Sequence, residues 1–466
     1  MRISITVRKG LRAWSVLFWL ALWQLGSMAL TALYPHGHLL LASPVRVLLR
    51  LWSLLPDASF WGTAARSARG ILGGFLLSCL MAIPLGALAA GHSRLRELLA
   101  PLVAVVKTAP VASFIILALV WLNPRTLPCF ISALMVFPTV YLNVLEGVGQ
   151  MDCRLLEMAL VFRVPFHRRL WGVYLPQVLP YFRSAASLAL GLCWKAGAAA
   201  EVIALSGGTI GERLYNAKIY LQTPDLFAWT VVIIAVSAGF EHLFLKGLDA
   251  LEHLLCSGRM LTGKPPDCRD VSAGIKVTKL RKSYGKRPVL DLSFSAGPGI
   301  TCVTAPSGTG KTTLLRLLMG LEEPDSGTIS GSHTWTAVFQ EDRLLEDLNA
   351  AGNLRFVLGD RLEGAAELLS RLGLDLLDPR PVRAWSGGMK RRLALARALL
   401  SPGEALALDE PFTGLDEALR GVCLECVKSS GRLALLVTHD PRDACGLPVL
   451  RLPVLGDSDE TSGPSP

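Results

Sequence analysis

Ala305-Pro306-Ser307-Gly308-Thr309-Gly310-Lys311-Thr312-Thr313 follows a short β-like run, Gly299–Thr304, and precedes an apolar-periodic segment, Leu314–Met319. Strand, glycine-rich turn and helix in that order make a phosphate-binding loop rather than a chance turn. Successive backbone N–H groups and the positive end of the helix surround the β- and γ-phosphates. Lys311 adds a point charge, and the Thr312 hydroxyl is placed to ligate Mg²⁺. One position departs from the GxxxxGK[ST] pattern: Ala305 stands where glycine is usual. Alanine lacks glycine's freedom at positive φ, so the loop entry is either strained or differently shaped.

Working outward, the 466 residues are enough for two or three domains. A hydrophobic fraction of 51% exceeds that of ordinary globular chains and points to a membrane. Residues 1–262 carry 22 Lys and Arg against 11 Asp and Glu, so the basic excess belongs to the first half. In an apolar half this reads as loops facing an anionic cytoplasmic leaflet, with membrane lipid as partner and no nucleic acid. Ten cysteines are scattered without a disulfide framework. The CxxC at Cys423 and Cys426 has no second pair or histidines beside it and reads as helix packing.

Residues 1–262 read as a polytopic α-helical domain of about six spans: 13–33, 69–91, 98–122, 127–148, 178–205 and 226–247. Arg2, Arg8, Lys9 and Arg12 start the chain inside, and no small-residue cleavage site marks a signal peptide. Arg94, Arg96, Arg154, Arg163, Arg168 and Arg169 fall on inside loops, whereas Arg46, Arg50, Arg66 and Arg69 do not. An interfacial segment between the first two spans accommodates those four. Lys107 and Lys195 lie inside apolar runs, and Glu201 follows Lys195 by six residues, roughly 240° away around a helix. The two therefore do not share a face; Lys195 meets another helix, solvent or a solute, or snorkels.

The inside loop, about 152–176, carries Leu155-Leu156-Glu157-Met158-Ala159-Leu160-Val161-Phe162-Arg163-Val164-Pro165-Phe166 and then Leu175-Pro176. It resembles the "EAA" coupling loop of ABC importer permeases, with Met158 for alanine and Arg163 where glycine is usual. Gly191–Lys195 and Ala199–Ile203 resemble the nitrate/sulfonate/taurine-type permeases. The resemblance implies that Arg163 and Phe166 meet the ATPase, and a small oxyanion as cargo for which Lys195 is a candidate contact.

Gly263–Asp267 opens a linker, 263–272, to an α/β domain over 273–456 that resembles the ABC ATPases. Tyr284 stands where that family stacks an aromatic on adenine. Gln340, in Val338-Phe339-Gln340-Glu341, matches the Q-loop residue that touches Mg²⁺ or the attacking water. Ser386-Gly387-Gly388, at a helix start, matches the signature that docks a γ-phosphate, with Trp385 and Met389 as substitutions. Asp409 and Glu410, ending the apolar run 405–408, match the Mg²⁺ ligand and the residue that polarises water. Gly414-Leu415-Asp416 resembles the D-loop, and His439 the switch histidine. Because a signature loop cannot reach the phosphate held by its own Lys311, the resemblance implies a homodimer with two composite ATP sites. It also implies an extracytoplasmic solute-binding protein and a cytoplasmic ATPase without a C-terminal regulatory extension. The residues 457–466 read as a disordered tail. Two alternatives stay open: an ABC exporter, and a membrane-anchored regulatory ATPase that moves no solute.

Overall fold

The structure is a computed structural model that describes residues 13–264, 274–285, 287–306, 308–331, 334–444 and 446–453. The expected tail, most of the expected linker and Ser307 of the phosphate loop lie outside the described residues. The chain forms two compact units, one of residues up to Gln150 with Val178–Ala250, the other of Met151–Gln177 with the chain from Leu251 onward.

The helices of the first half are α1 (Ala13–Leu33), α2 (Gly37–Leu40), α3 (Pro44–Leu54), α4 (Ala58–Gly91), α5 (Ser93–Thr108), α6 (Val111–Leu119) and α7 (Leu127–Gly149). They continue with α8 (Cys153–Val161), α9 (Phe166–Arg169), α10 (Leu175–Ala204), α11 (Ile210–Ile219) and α12 (Thr223–Cys256). Five of these, α1, α4, α7, α10 and α12, are long and apolar enough to cross a membrane. The sixth expected span is a bent pair, α5 and α6, turned by 103° at the break. The cause is local: Pro110 cannot continue the ladder, and it drives Ala109 before it into extended backbone at ψ 143°. The segment expected to lie at the interface holds α3, capped by Ser43, whose hydroxyl accepts from the Arg46 N–H at 3.4 Å. Large apolar side chains of α1, Leu17 and Trp19 among them, are exposed, as a lipid-facing helix requires. Lys107 and Lys195 are also exposed, whereas Glu201 is buried.

The second unit carries two sheets built from β1 (Ile275–Tyr284), β2 (Arg287–Ala296), β3 (Gly299–Thr304), β4 (Ser326–Ser330), β5 (Trp335–Val338), β6 (Ala405–Asp409), β7 (Leu433–Val437) and β8 (Val449–Arg451). Its helices are α13 (Lys311–Leu318), α14 (Ala350–Leu358), α15 (Ala365–Arg371), α16 (Gly387–Leu400) and α17 (Glu417–Ser429). A small antiparallel sheet runs β2-β1-β4, and a parallel core sheet runs β5-β6-β7-β3-β8. Strands β6 and β7 are buried at every residue, which accounts for their unbroken apolar runs. Parallel pairing of β3 with β7 and of β7 with β6 brings the C-terminal ends of all three to one edge. Ligands bind at that edge of such sheets. Cys423 and Cys426 are buried in α17, and burial pushes the Cys423 thiol up to about 11, as for a packing residue.

Candidate functional site

Strand β3 delivers the phosphate loop, and α13 starts at Lys311 immediately after Gly310, whose φ of 86° only glycine adopts freely. A Cβ at Gly310 would also lie 2.8 Å from a methyl of Val289. Ala305 keeps a negative φ, so the substitution noted in the sequence stores no strain at the loop entry. The Lys311 Nζ donates to the carbonyls of Ala305 and Pro306 at 2.6 and 3.0 Å, and Thr309 Oγ1 donates to Pro306 at 2.7 Å. Burial lowers the Lys311 pKa, opposed by the charges of Glu410 and Asp409. Thr313 follows Thr312 in the first turn of α13.

Asp409 ends β6 and accepts from Thr312 Oγ1 at 3.0 Å, so the two oxygens needed for a hard cation stand together. Burial raises the Asp409 pKa, partly offset by that hydrogen bond. The next residue, Glu410, has φ 51° and a backbone N–H held by the Val437 carbonyl at 2.9 Å. The left-handed step turns its carboxylate to the strand edge, where Oε1 meets His439 Nε2 at 2.8 Å. His439 follows β7 and is half exposed. Gln340 is exposed after β5 and lines a cavity of 250 Å³ with Thr312, Asp409, Glu341, Arg154 and Arg316. Its carbonyl accepts from Arg391 of the α16 helix at 2.6 Å.

Ser386 caps α16, accepting from the Met389 N–H at 3.3 Å, and Gly387 is exposed at the helix start. Trp385 is buried and Met389 packs against the core, so both substitutions in the signature face inward. Tyr284 is half exposed at the end of β1; its hydroxyl donates to Glu322 at 2.5 Å, a partner the sequence did not reveal.

The loop 151–177 packs in this same unit. Glu157 receives Arg316 in bidentate fashion at 2.8 and 3.0 Å and Arg343 at 2.8 Å. Arg316 belongs to α13, the helix that begins at Lys311. Arg154 adds an exposed pair with Glu341 at 2.8 Å. Phe162 is buried, with the guanidinium of Arg397 5.1 Å from its ring.

The two contact residues expected from the loop are both exposed. Arg163 is exposed and takes φ 51°, filling the left-handed position after α8 where glycine is usual. Phe166 is 63% exposed. Arg168 makes the contact instead: fully buried, it donates to the carbonyls of Arg355, Phe356 and Val357 at 3.3, 3.1 and 2.9 Å, and to that of Lys264 at 2.8 Å. A cation at the α14 C-terminus satisfies orphan carbonyls and the negative end of the helix dipole. Arg168→Ala should therefore destabilise this unit by on the order of 3 kcal/mol. Thermal unfolding checks it, and an unchanged midpoint would contradict the capping role.

Residues 289–413 match the ABC transporter family model. Residues 82–244 match that for the inner membrane component of binding-protein-dependent transport systems. The thiamine import ATP-binding protein ThiQ of Brucella abortus is 36% identical over 203 residues, covering 38% of this chain and 83% of that protein. The aliphatic sulfonates import ATP-binding protein SsuB 1 of Nocardia farcinica is 40% identical over 184 residues, covering 37% of this chain and 74% of its own. The Nod factor export ATP-binding protein I of Ralstonia nicotianae is 37% identical over 198 residues, covering 36% of this chain and 60% of that protein. With a permease match and an ATP-binding match in one polypeptide, the chain belongs to the ABC transporters, as an importer-type permease fused to its ATP-hydrolysing domain in a multi-pass protein of the cell membrane.

Proposed function

We propose that this chain is a half-transporter that dimerises, closes on two ATP molecules at composite sites and imports a small oxyanion delivered by an extracytoplasmic binding protein. One observation carries the reading. The loop that joins the membrane helices is ion-paired through Glu157 to Arg316, on the helix that begins with the phosphate-binding Lys311. Phosphate occupancy at Lys311 would thereby reach the loop through one helix and one ion pair. The domain boundaries proposed are a permease over 1–262, a linker over 263–272 and the ATPase over 273–456, on the cytoplasmic side where ATP is found.

The residues fit Mg²⁺ and ATP. The Thr312 hydroxyl and the Asp409 carboxylate form an oxygen pair at 3.0 Å, and Gln340 lines the same cavity. When bound there, Mg²⁺ would neutralise developing phosphate charge. The backbone of 305–313 and Lys311 hold the β- and γ-phosphates, and the Tyr284 ring is the adenine platform. Glu410 takes the proton of the attacking water, and His439, bonded to it, orients it and contacts the γ-phosphate. Ser386, Gly387 and Gly388 of the second chain close the site from above.

The permease match and the sulfonate and thiamine importers among the relatives support import; the Nod factor export relative keeps the exporter reading in view. Composite sites are tested by mixing a Lys311→Ala chain with a Ser386→Arg chain. Each keeps the half the other lacks, so the mixed dimer should regain one ATP-closed site while either pure dimer has none. Mixed dimers that form yet never close on ATP would overturn the cross-chain assignment.

A further inference from the structure

A cavity of 660 Å³ lies at one end of the membrane unit, with Arg66, Arg69 and Arg125 on its walls. Taking the inside start of α1, this is the outer end of the membrane unit, since α1 ends there, α4 and α7 begin there and α10 ends there. We propose that it is an anion-receiving basin for a small sulfonate- or sulfate-like oxyanion; the assignment rests on the importer reading above and names the place where its cargo is first met.

The basin is framed before any ligand arrives. Arg66 and Arg69 stand three residues apart on α4 and share a face. Arg66 is fixed by Nε donating to the Gly208 carbonyl at 2.8 Å. Ser206 Oγ donates to the Pro124 carbonyl at 2.6 Å, tying the loop after α10 to the one that carries Arg125. Beneath, the buried Glu201 carboxylate accepts from Ser67 Oγ at 2.9 Å and from the Gly211 N–H at 3.0 Å, which holds that loop against α4. Gly208 has φ 76°, and a Cβ there would come within 2.9 Å of Arg66 Nε, so loop and arginine are mutually fitted.

Charge then selects the occupant. The guanidinium groups of Arg69 and Arg125 have no hydrogen-bond or ion-pair partner among the described residues. The acids at this end are already engaged. Glu212 accepts from the Gly208 N–H at 2.6 Å, Glu201 is committed below, Asp57 caps α4, and Asp225 is paired with Arg50. Two unsatisfied planar forks on one concavity match the oxygens of a tetrahedral oxyanion. The volume falls within the range of small-molecule sites, about 300–1,000 Å³, and leaves room for bridging water.

The test uses the full chain in phosphatidylcholine nanodiscs, titrated with sodium methanesulfonate by calorimetry against chloride at equal ionic strength. Binding should be saturable and should weaken about ten-fold or more in an Arg69→Gln/Arg125→Gln double variant. The Arg69→Lys/Arg125→Lys variant, which keeps the charge, should stay within about three-fold. Gly208→Ala should also weaken binding by displacing Arg66, and Arg94→Gln/Arg96→Gln should change nothing. ATP hydrolysis, unchanged in every variant, shows that the chain is folded. Absent binding in the parent, or binding indifferent to the double variant, would overturn the proposal. So would a response to methanesulfonate no larger than the response to chloride at equal ionic strength. If methanesulfonate binds through these arginines but ATP drives no inward flux, the basin stands and the importer reading falls.

Discussion

Glu410→Gln should keep ATP bound while steady-state hydrolysis falls by about 10²–10⁴-fold, the usual contribution of a general base. The amide preserves the shape of the side chain but cannot accept a proton at pH 7. Nothing else about the strand edge need change, because the backbone of Glu410 is held independently, by its N–H to the Val437 carbonyl. His439 would lose a charged partner at 2.8 Å and keep a hydrogen-bonding one. Lys311→Ala should behave oppositely, with nucleotide binding lost, since the ammonium is the buried cation at the loop. Nucleotide retained on the purified protein, set against phosphate release, separates the two variants. Substantial turnover by the Glu410→Gln protein would remove Glu410 from its proposed role.

Glu157→Gln should disconnect transport from ATP turnover: uptake should fall by about ten-fold or more while basal hydrolysis persists. Glu157 receives three bonds from two arginines, and charge-assisted bonds contribute about 1.5–3 kcal/mol each, less where solvent reaches them. A loss of roughly 2–3 kcal/mol after that discount is enough to undock the loop in a sizeable fraction of molecules. The pH dependence has a definite sign. The hydrogen bonds from Arg316, with those from Arg343, hold the Glu157 pKa below its ordinary value, against the opposing cost of burial. The docking is then fully present above the usual glutamate range and is lost as pH falls through the depressed pKa. Amide exchange over 153–161 should show protection that fails only in acid for the parent chain, and weak protection at every pH for Glu157→Gln. Equal protection in both would mean that packing of Phe162 and Arg168 alone holds the loop.

The phosphate loop, the Asp409-Glu410 strand end and His439 could be read from sequence because each sits at a strand terminus, where local pattern and backbone geometry coincide. The effect of Ala305 could not: whether alanine is tolerated depends on φ, and here φ is negative. The place of Trp385 and Met389 likewise needed the packed core. Hydropathy located the spans, and Pro110 marked the break, but the 103° size of the turn depends on the backbone angles that Ala109 and Pro110 adopt. In the coupling loop the sequence drew attention to Arg163, since it replaces a glycine. The replacement concerns backbone conformation alone, and Arg168, five residues on, carries the buried charge. The arginine basin was missed for a different reason. Arg66 and Arg125 are far apart in the chain, and only the misfit of Arg66 and Arg69 with the inside-positive pattern hinted that they serve something other than topology. Lys195, one candidate for an anion contact in the sequence, is exposed on α10.

On the proposed reading, ATP spent at Lys311 and Glu410 moves a small oxyanion inward. Proteoliposomes with the ATPase domain inside, loaded with ATP and given the cognate binding protein outside, measure it directly with ³⁵S-methanesulfonate as solute. Accumulation in the lumen should require ATP, disappear with Glu410→Gln and weaken with Arg69→Gln/Arg125→Gln. Outward movement of preloaded solute on ATP hydrolysis, or sustained hydrolysis with no flux in either direction, would contradict it.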